Sequence, residues 1–206
     1  TEVDLRGRVY GHGQFVGSFG VEPFAGMFLR HTVTADKREG EDVELVDASG
    51  ARRQLYRHVS VVLVSGKTAL LADRVACEKR CDLHILTAGS SVTERVLHLG
   101  PTPDLIEGGL TNDGSRLFVG VRQESADPAP SVVSELSLAT GQWRPVTDAW
   151  AATYYGASYR FSADGRWMFF VDADEKHVNA YDLAARRSYR VKGDFAQITQ
   201  LELLPA

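Results

Sequence analysis

Six histidines, two cysteines and 27 acidic residues are the side chains of this 206-residue sequence with the strongest claim to chemistry. The histidines are His12, His31, His58, His84, His98 and His177. No two of them form an H-x-x-x-H or H-E-x-x-H pair, which would set two imidazoles on one helix face for a metal, and none adjoins the signature of a Ser or Cys nucleophile. The stretch "GHGQFVG", which contains His12, resembles half of a glycine-rich phosphate loop, but no helix follows it to offer its N-terminus to an anion. "DADEK" (Asp172, Asp174, Glu175) resembles part of a calcium loop. It lacks the glycine and the closing bidentate Glu, so it reads as a polar hairpin tip. Carboxylate pairs for glycoside chemistry cannot be chosen without geometry. The sequence therefore predicts no catalytic residue, no metal ligand and no cofactor.

Cys77 and Cys81 lie in "VACEKRCDLHIL". The three residues between them read as a hairpin turn, with "ALLADRVAC" and "CDLHIL" as antiparallel strands that bring the sulfurs within reach. Three readings compete: a disulfide made in an oxidising compartment, two reduced thiols in a cytoplasmic protein, and a metal site that recruits His84. The Cys77–Cys81 disulfide leaves no odd thiol and is the expectation taken forward. The spacing is not that of a zinc knuckle, and His84 alternates away from Cys81, Leu83 and Ile85 to the other face of its strand.

With 44% apolar and 24% charged residues, the chain has the balance of a globular protein. A net charge of −4 argues against nucleic acid as a partner, because phosphate binding needs a basic surface. Two basic clusters, Arg52/Arg53/Arg57 and Arg186/Arg187/Arg190/Lys192, alternate with apolar residues and read as solvated strand faces. No apolar run approaches the ~18 residues that cross a bilayer. Thr1 stands where Met would open a complete chain, as expected of a processed or excised piece, so a membrane link would run only through a removed anchor.

The elements that must position these residues are short strands. Four segments share one order: "GMFLRHTV", "DVELVDASG", "ARRQLYR"; then "KTALLADRVA", "CDLHILTAG", "TERVLHLG"; then "GSRLFVGVRQ", "VSELSLATG", "QWRPVTD"; and "GRWMFFVDAD", "HVNAYDLAA", "RSYRVKG". Aligning the middle element puts Leu45, Ile85, Leu136 and Tyr181 at one position, at intervals of 40, 51 and 45 residues. The long interval holds "QESADPAPS", whose Pro128 and Pro130 mark a surface loop. The units run roughly 21–58, 59–100, 101–148 and 149–193. Each also has a preceding strand that ends in a turn. Asn112-Asp113-Gly114 and Ala163-Asp164-Gly165 supply the positive-φ residues of a tight hairpin. The apolar runs after them, Leu117–Val119 and Trp167–Phe170, suit strands covered on both faces. "SLATG" and "DLAARR" are too short for helices.

A period of about 40–45 is that of a four-stranded propeller blade. "LTNDGSRLFVGV…VSELSLATGQWRPV" and "FSADGRWMFFVDADEKHVNAYDLAARRSYRV" resemble blades of the bacterial WD-repeat-like and TolB-type β-propellers, in the S/T-x-D-G turn and the strand ending in x-x-T-G. Across 21–100 the likeness is weaker, because "FAG" and "SGK" replace the Asp-Gly turn. The expected fold is all-β: a single propeller domain, 1–206, of about five four-stranded antiparallel blades, with residues 1–20 and 194–206 closing one shared blade. The alternative is that the chain is part of a larger ring.

Two functions fit such a ring. The first is a non-catalytic recognition or scaffold module, the exported sensing or protein-binding domain of a larger bacterial protein, lying outside the cytoplasm and contacting a protein or small-molecule ligand. Its candidate surface is "DAWAATYYGASYR", where Trp150, Tyr154 and Tyr155 would present amphipathic rings, with His12 as a companion. The second is a propeller enzyme, a hydrolase or lyase, whose channel would gather residues such as Glu22, Glu107, Tyr159 and Arg160 from inner strands.

Overall fold

The computed structural model describes residues 2–3, 9–10, 21–33, 41–72, 80–100, 108–122, 131–151, 159–171 and 176–193. Strands β1 (Glu2–Val3) and β2 (Val9–Tyr10) pair with each other, Glu2 opposite Tyr10. The rest form four sheets, each a four-stranded antiparallel meander in chain order. The first holds β3 (Val21–Phe24), β4 (Met27–Val33), β5 (Glu41–Val46) and β6 (Arg52–Tyr56). The second holds β7 (Ser60–Ser65), β8 (Thr68–Ala72), β9 (Cys81–Ala88) and β10 (Val92–Leu99). The third holds β11 (Gly109–Leu110), β12 (Arg116–Arg122), β13 (Ser131–Ser137) and β14 (Trp143–Ala151). The fourth holds β15 (Arg160–Phe161), β16 (Trp167–Val171), β17 (Val178–Asp182) and β18 (Arg187–Arg190). No helix occurs among the described residues.

The sheets stack face to face. Every residue of β8 is buried, and alternation sends its side chains to two different neighbours. Ala69 and Leu71 join Phe24, Leu29, Val43 and Leu45 of the first sheet. Leu70 and Ala72 join Leu117, Val119 and Leu136 of the third. The third and fourth sheets meet through Phe118, Val133 and Val146 against Met168, Phe170 and Tyr181. Each fully buried Leu or Phe contributes about 1.5–3 kcal/mol relative to exposure. A single sheet would leave both faces wet, so each depends on its neighbours.

The aligned position from the sequence needs a correction. Leu45 pairs with Leu29 and faces the second sheet, and Ile85 pairs with Leu70 and faces the third. Leu136 pairs with Leu117 and faces back to the second sheet, and Tyr181 pairs with Met168 and faces back to the third. The positions that share a face are Val46, Leu86, Leu136 and Tyr181 on one side and Leu45, Ile85, Glu135 and Ala180 on the other. A slip of one residue had exchanged the two faces.

Turn chemistry sets the hairpins. In the first sheet Ala25 and Gly26 take φ of 49° and 80°, a two-residue turn with both central residues left-handed. In the third and fourth sheets the S/T-x-D-G motif closes the turn twice over. Asp113 accepts from the Thr111 hydroxyl (2.6 Å) and the Ser115 amide (3.1 Å), while Thr111 Oγ1 accepts from the Arg116 amide at 3.1 Å. Asp164 accepts from the Ser162 hydroxyl and the Arg166 amide, and Ser162 Oγ accepts from the Trp167 amide at 2.9 Å.

Asp47 and Asp182 do the same work between third and fourth strands. Asp47 Oδ1 accepts from the amides of Ser49 (2.9 Å) and Ala51 (3.0 Å), and Asp182 Oδ1 from Ala184 and Ala185, both at 2.9 Å. Hydrogen bonding, led by the Ser49 hydroxyl, holds Asp47 down at about 2, and the Ala185 amide and then the Arg166 guanidinium lower Asp182. The Ser162 hydroxyl lowers Asp164, and bonds from Thr111 and Ser115 lower Asp113 against the opposing effect of its burial. A depressed folded-state pKa gives stability that is complete above the unfolded value of about 3.9 and lost as pH falls through the folded value. The melting temperature should therefore fall between about pH 4 and pH 2. In Asp47→Asn that acid limb should be shallower. An unchanged limb in that variant would remove Asp47 from the account.

Candidate functional site

On the fourth sheet a line of stacked side chains runs across three strands. Trp167 on β16 and Tyr189 on β18 meet edge to face, with ring centroids 5.8 Å apart. Small Ala180, cross-strand neighbour of Tyr189 on β17, lies between their strands. The Arg166 guanidinium stands 5.1 Å from the Trp167 ring centre and that of Arg187 5.3 Å from the Tyr189 ring centre. The face is the one turned away from the third sheet, since Met168, Phe170 and Tyr181 occupy the other. Tyr189 is 43% exposed, whereas Tyr181 is buried. Beneath the line, Asp182 accepts from Arg166 Nε at 3.2 Å and Nη2 at 3.0 Å.

A second polar group lies between the third and fourth sheets. Glu135 is buried at the register where the first and second sheets carry Leu45 and Ile85. Arg186 of the fourth sheet donates to its Oε2 at 3.1 Å, and Arg116 of its own sheet stands 3.8 Å from Oε1. Arg186 does this from a left-handed backbone, φ 56°, where the equivalent residue of the third sheet is Gly141, φ 73°. Burial, aided by the Glu135 charge, raises the Tyr181 phenol.

A third group lies where the first and second sheets meet. His84 Nδ1 is 2.6 Å from Glu94 Oε1, Gln54 of the first sheet donates to Glu94 Oε2 at 3.2 Å, and the Tyr56 ring meets the His84 ring edge-on at 6.3 Å. The Tyr56 hydroxyl is buried with no hydrogen-bond partner among the described residues, and burial, with the nearby Glu94 charge, pushes it up to about 12.

Four four-stranded meanders, each sheltering its apolar faces against the next, define the architecture. The chain is a β-propeller. Among solved structures it is similar to an acylaminoacyl peptidase from Pyrococcus horikoshii (TM-score 0.57, 8% identity, 88% of this chain and 33% of that one). It is also similar to the hydrazine synthase of Kuenenia stuttgartiensis (TM-score 0.53, 11% identity, 92% and 52%) and to TolB from Acinetobacter baumannii (TM-score 0.48, 14% identity, 84% and 44%). The propeller thus spans about half or less of the length of these proteins. At such identities the likeness is one of fold. No family model and no curated protein matches the sequence.

The propeller places the residues singled out in the sequence as follows. Trp150 lies on β14 opposite Val132; His12, Tyr154, Tyr155 and Cys77 lie outside the described residues. Cys81 begins β9, is fully buried and does not stand as a free thiol. His84 faces away from Leu83 and Ile85, as its alternation required. Of the channel candidates, Glu107 lies outside the described residues and Glu22 is on β3, opposite Leu29. Tyr159 packs into the core between blades 3 and 4, its ring 6.2 Å from Phe170, and Arg160 donates to the Tyr159 carbonyl at 3.1 Å. Among the described residues no three His, Cys, Asp or Glu side chains gather as a metal site.

The sequence missed the blade 4 line altogether. Arg187 was read as part of a solvated strand face and Trp167 as part of a run buried on both sides. Trp167 and Phe169 are in fact half-buried, while Met168 and Phe170 are fully covered. The available signal was Tyr189, an aromatic ring between Ser188 and Arg190 on a short, polar edge strand.

Proposed function

We propose that this propeller is a protein-recognition module and not a catalyst, the exported sensing or binding domain of a larger bacterial protein. One observation carries the proposal: among the described residues, the best-held carboxylates brace the scaffold, while aromatic and arginine side chains stand outward. Asp47, Asp113, Asp164 and Asp182 cap turns, and Glu135 is clasped by two arginines. Trp167, Tyr189 and Arg187 have the composition of an interface hot spot. The segment with Trp150, Tyr154 and Tyr155, and His12, form a second proposed contact patch. The buried Cys81, which is not a free thiol, supports a Cys77–Cys81 disulfide and a location outside the cytoplasm.

Site-specific photo-cross-linking in the native host tests the reading. A photoreactive residue at 189 or 155 should yield one discrete protein adduct, and a control at Thr93, on the outer strand of blade 2, should yield none. Equal adducts at all three positions, or none at any, would sink it. The compartment has its own check: protein from the native host should show two reactive thiols only after reduction. Two thiols without reductant would place it in a reducing compartment.

A further inference from the structure

We infer that the outer edge of blade 2 pairs with itself: two copies of this chain join through β10 in one antiparallel sheet, about a twofold axis that passes through the sheet at Val96. An edge strand is a template for further pairing unless something blunts it. The other described outer strands are blunted. β6 is five residues long and pairs across an irregularity at Leu45/Val46. β14 carries Pro145 and pairs across an irregularity at Val132/Ser134, and β18 has only four residues. β10 runs for eight residues, Val92–Leu99, holds no proline and keeps register with β9 throughout. It ends its sheet, so no described strand takes up its outward amides and carbonyls, and Thr93, Glu94, Arg95 and Val96 are all exposed.

The charges on this strand do not guard it. Arg95 donates to the Leu138 carbonyl of blade 3, and Glu94 is engaged by His84 and Gln54. Val96, at 37% exposure, is one of two exposed large apolar side chains among the described residues, and it stands in the middle of the strand.

The order of side chains selects a second copy as the occupant. Glu94, Val96 and His98 share the face turned to blade 1, opposite Leu86, His84 and Asp82. When β10 meets itself about Val96, the two valines face each other and each Glu94 lies opposite His98 of the other copy. With the faces kept aligned, a shift of two residues either way sets Val96 against Glu94 or His98, so one register is favoured. His98 Nδ1 is 2.8 Å from Asp82 Oδ1. An imidazole between that carboxylate and Glu94 of the other copy donates from both nitrogens as the cation, so pairing takes up protons and tightens as pH falls from about 8 to about 6. The other titratable groups along this row are Arg80, 3.5 Å from Asp82, and His84 and Tyr56 beside Glu94.

Sedimentation equilibrium of the whole chain tests this. At about pH 6 the parent should form a dimer at roughly 100 μM, an eight-residue edge being a small interface, and should associate more weakly at about pH 8. His98→Glu sets carboxylate against carboxylate and Glu94→Lys sets cation against cation, so each alone should lose about tenfold or more in association. Mixed together they should pair with each other, because every carboxylate then meets a cation. Val96→Lys places two cations on the axis and should be monomeric with an unchanged melting temperature; it decides the matter by itself whether or not Glu94→Lys folds. A parent that stays monomeric at about 1 mM, a dimer that survives Val96→Lys, or association no tighter at pH 6 than at pH 8 would overturn the inference. So would two folded charge variants that fail to rescue each other. Cross-linked species at Thr93 with twice the chain's mass belong to this joint, whereas a foreign adduct there counts against the recognition reading alone.

Discussion

Gly114→Ala should lose about 3 kcal/mol of stability in denaturant unfolding, whereas Gly165→Ala, at the same place in the next turn, should lose about 1 kcal/mol. The backbones match: φ is 67° at Gly114 and 68° at Gly165. The difference lies in what a methyl group would meet. At Gly114 it would stand 2.0 Å from Thr68 Oγ1 and 2.6 Å from Thr68 Cβ, on a buried side chain of the neighbouring blade. At Gly165 nothing lies within 4 Å. One substitution strains a turn, and the other also forces two blades apart. Equal losses would mean that blades 2 and 3 are not held together at this point.

The second expected result concerns Glu135. Arg186→Ala should destabilise the protein by about 2 kcal/mol, because among the described residues it leaves the buried carboxylate with Arg116 alone, 3.8 Å away. Alanine keeps the left-handed strain at φ 56°, so the variant reports on the lost guanidinium. Glu135→Leu removes the same ion pair yet should stay within about 1 kcal/mol of the parent. It restores the residue type that blades 1 and 2 carry there, and Arg116 and Arg186 retain enough exposure to hydrate. Thermal melts of the two variants side by side decide the matter. A larger loss for Glu135→Leu than for Arg186→Ala would reverse the assignment.

The repeat was legible in the sequence because its signals are local. Asp113-Gly114 and Asp164-Gly165 announce turns within a few residues of chain, and the strands between them follow. Register was not legible to the last residue. Stretches such as "TALLA" are apolar at every position, so the alternation that would tell one face from the other is missing. Only the clusters they join show that Leu45 looks forward to the next sheet and Leu136 back to the previous one. The blade 4 line was invisible for another reason: Trp167 and Tyr189 are brought together by β17, and no spacing along the chain encodes that meeting. Glu135 was hidden similarly, since "VSELSL" alternates as an ordinary strand and Arg186 arrives from the following repeat.

Glu135 also bears on how such a chain can change over generations. Blades built on one plan invite duplication, deletion and reshuffling, since any apolar face can in principle settle on any other. An acid at one inner position, answered by an arginine in the blade that follows, gives that joint an address. Were blade 4 transplanted behind blade 1, Arg186 would arrive opposite Leu45 and find no carboxylate. The order of the third and fourth blades is thereby written into the protein.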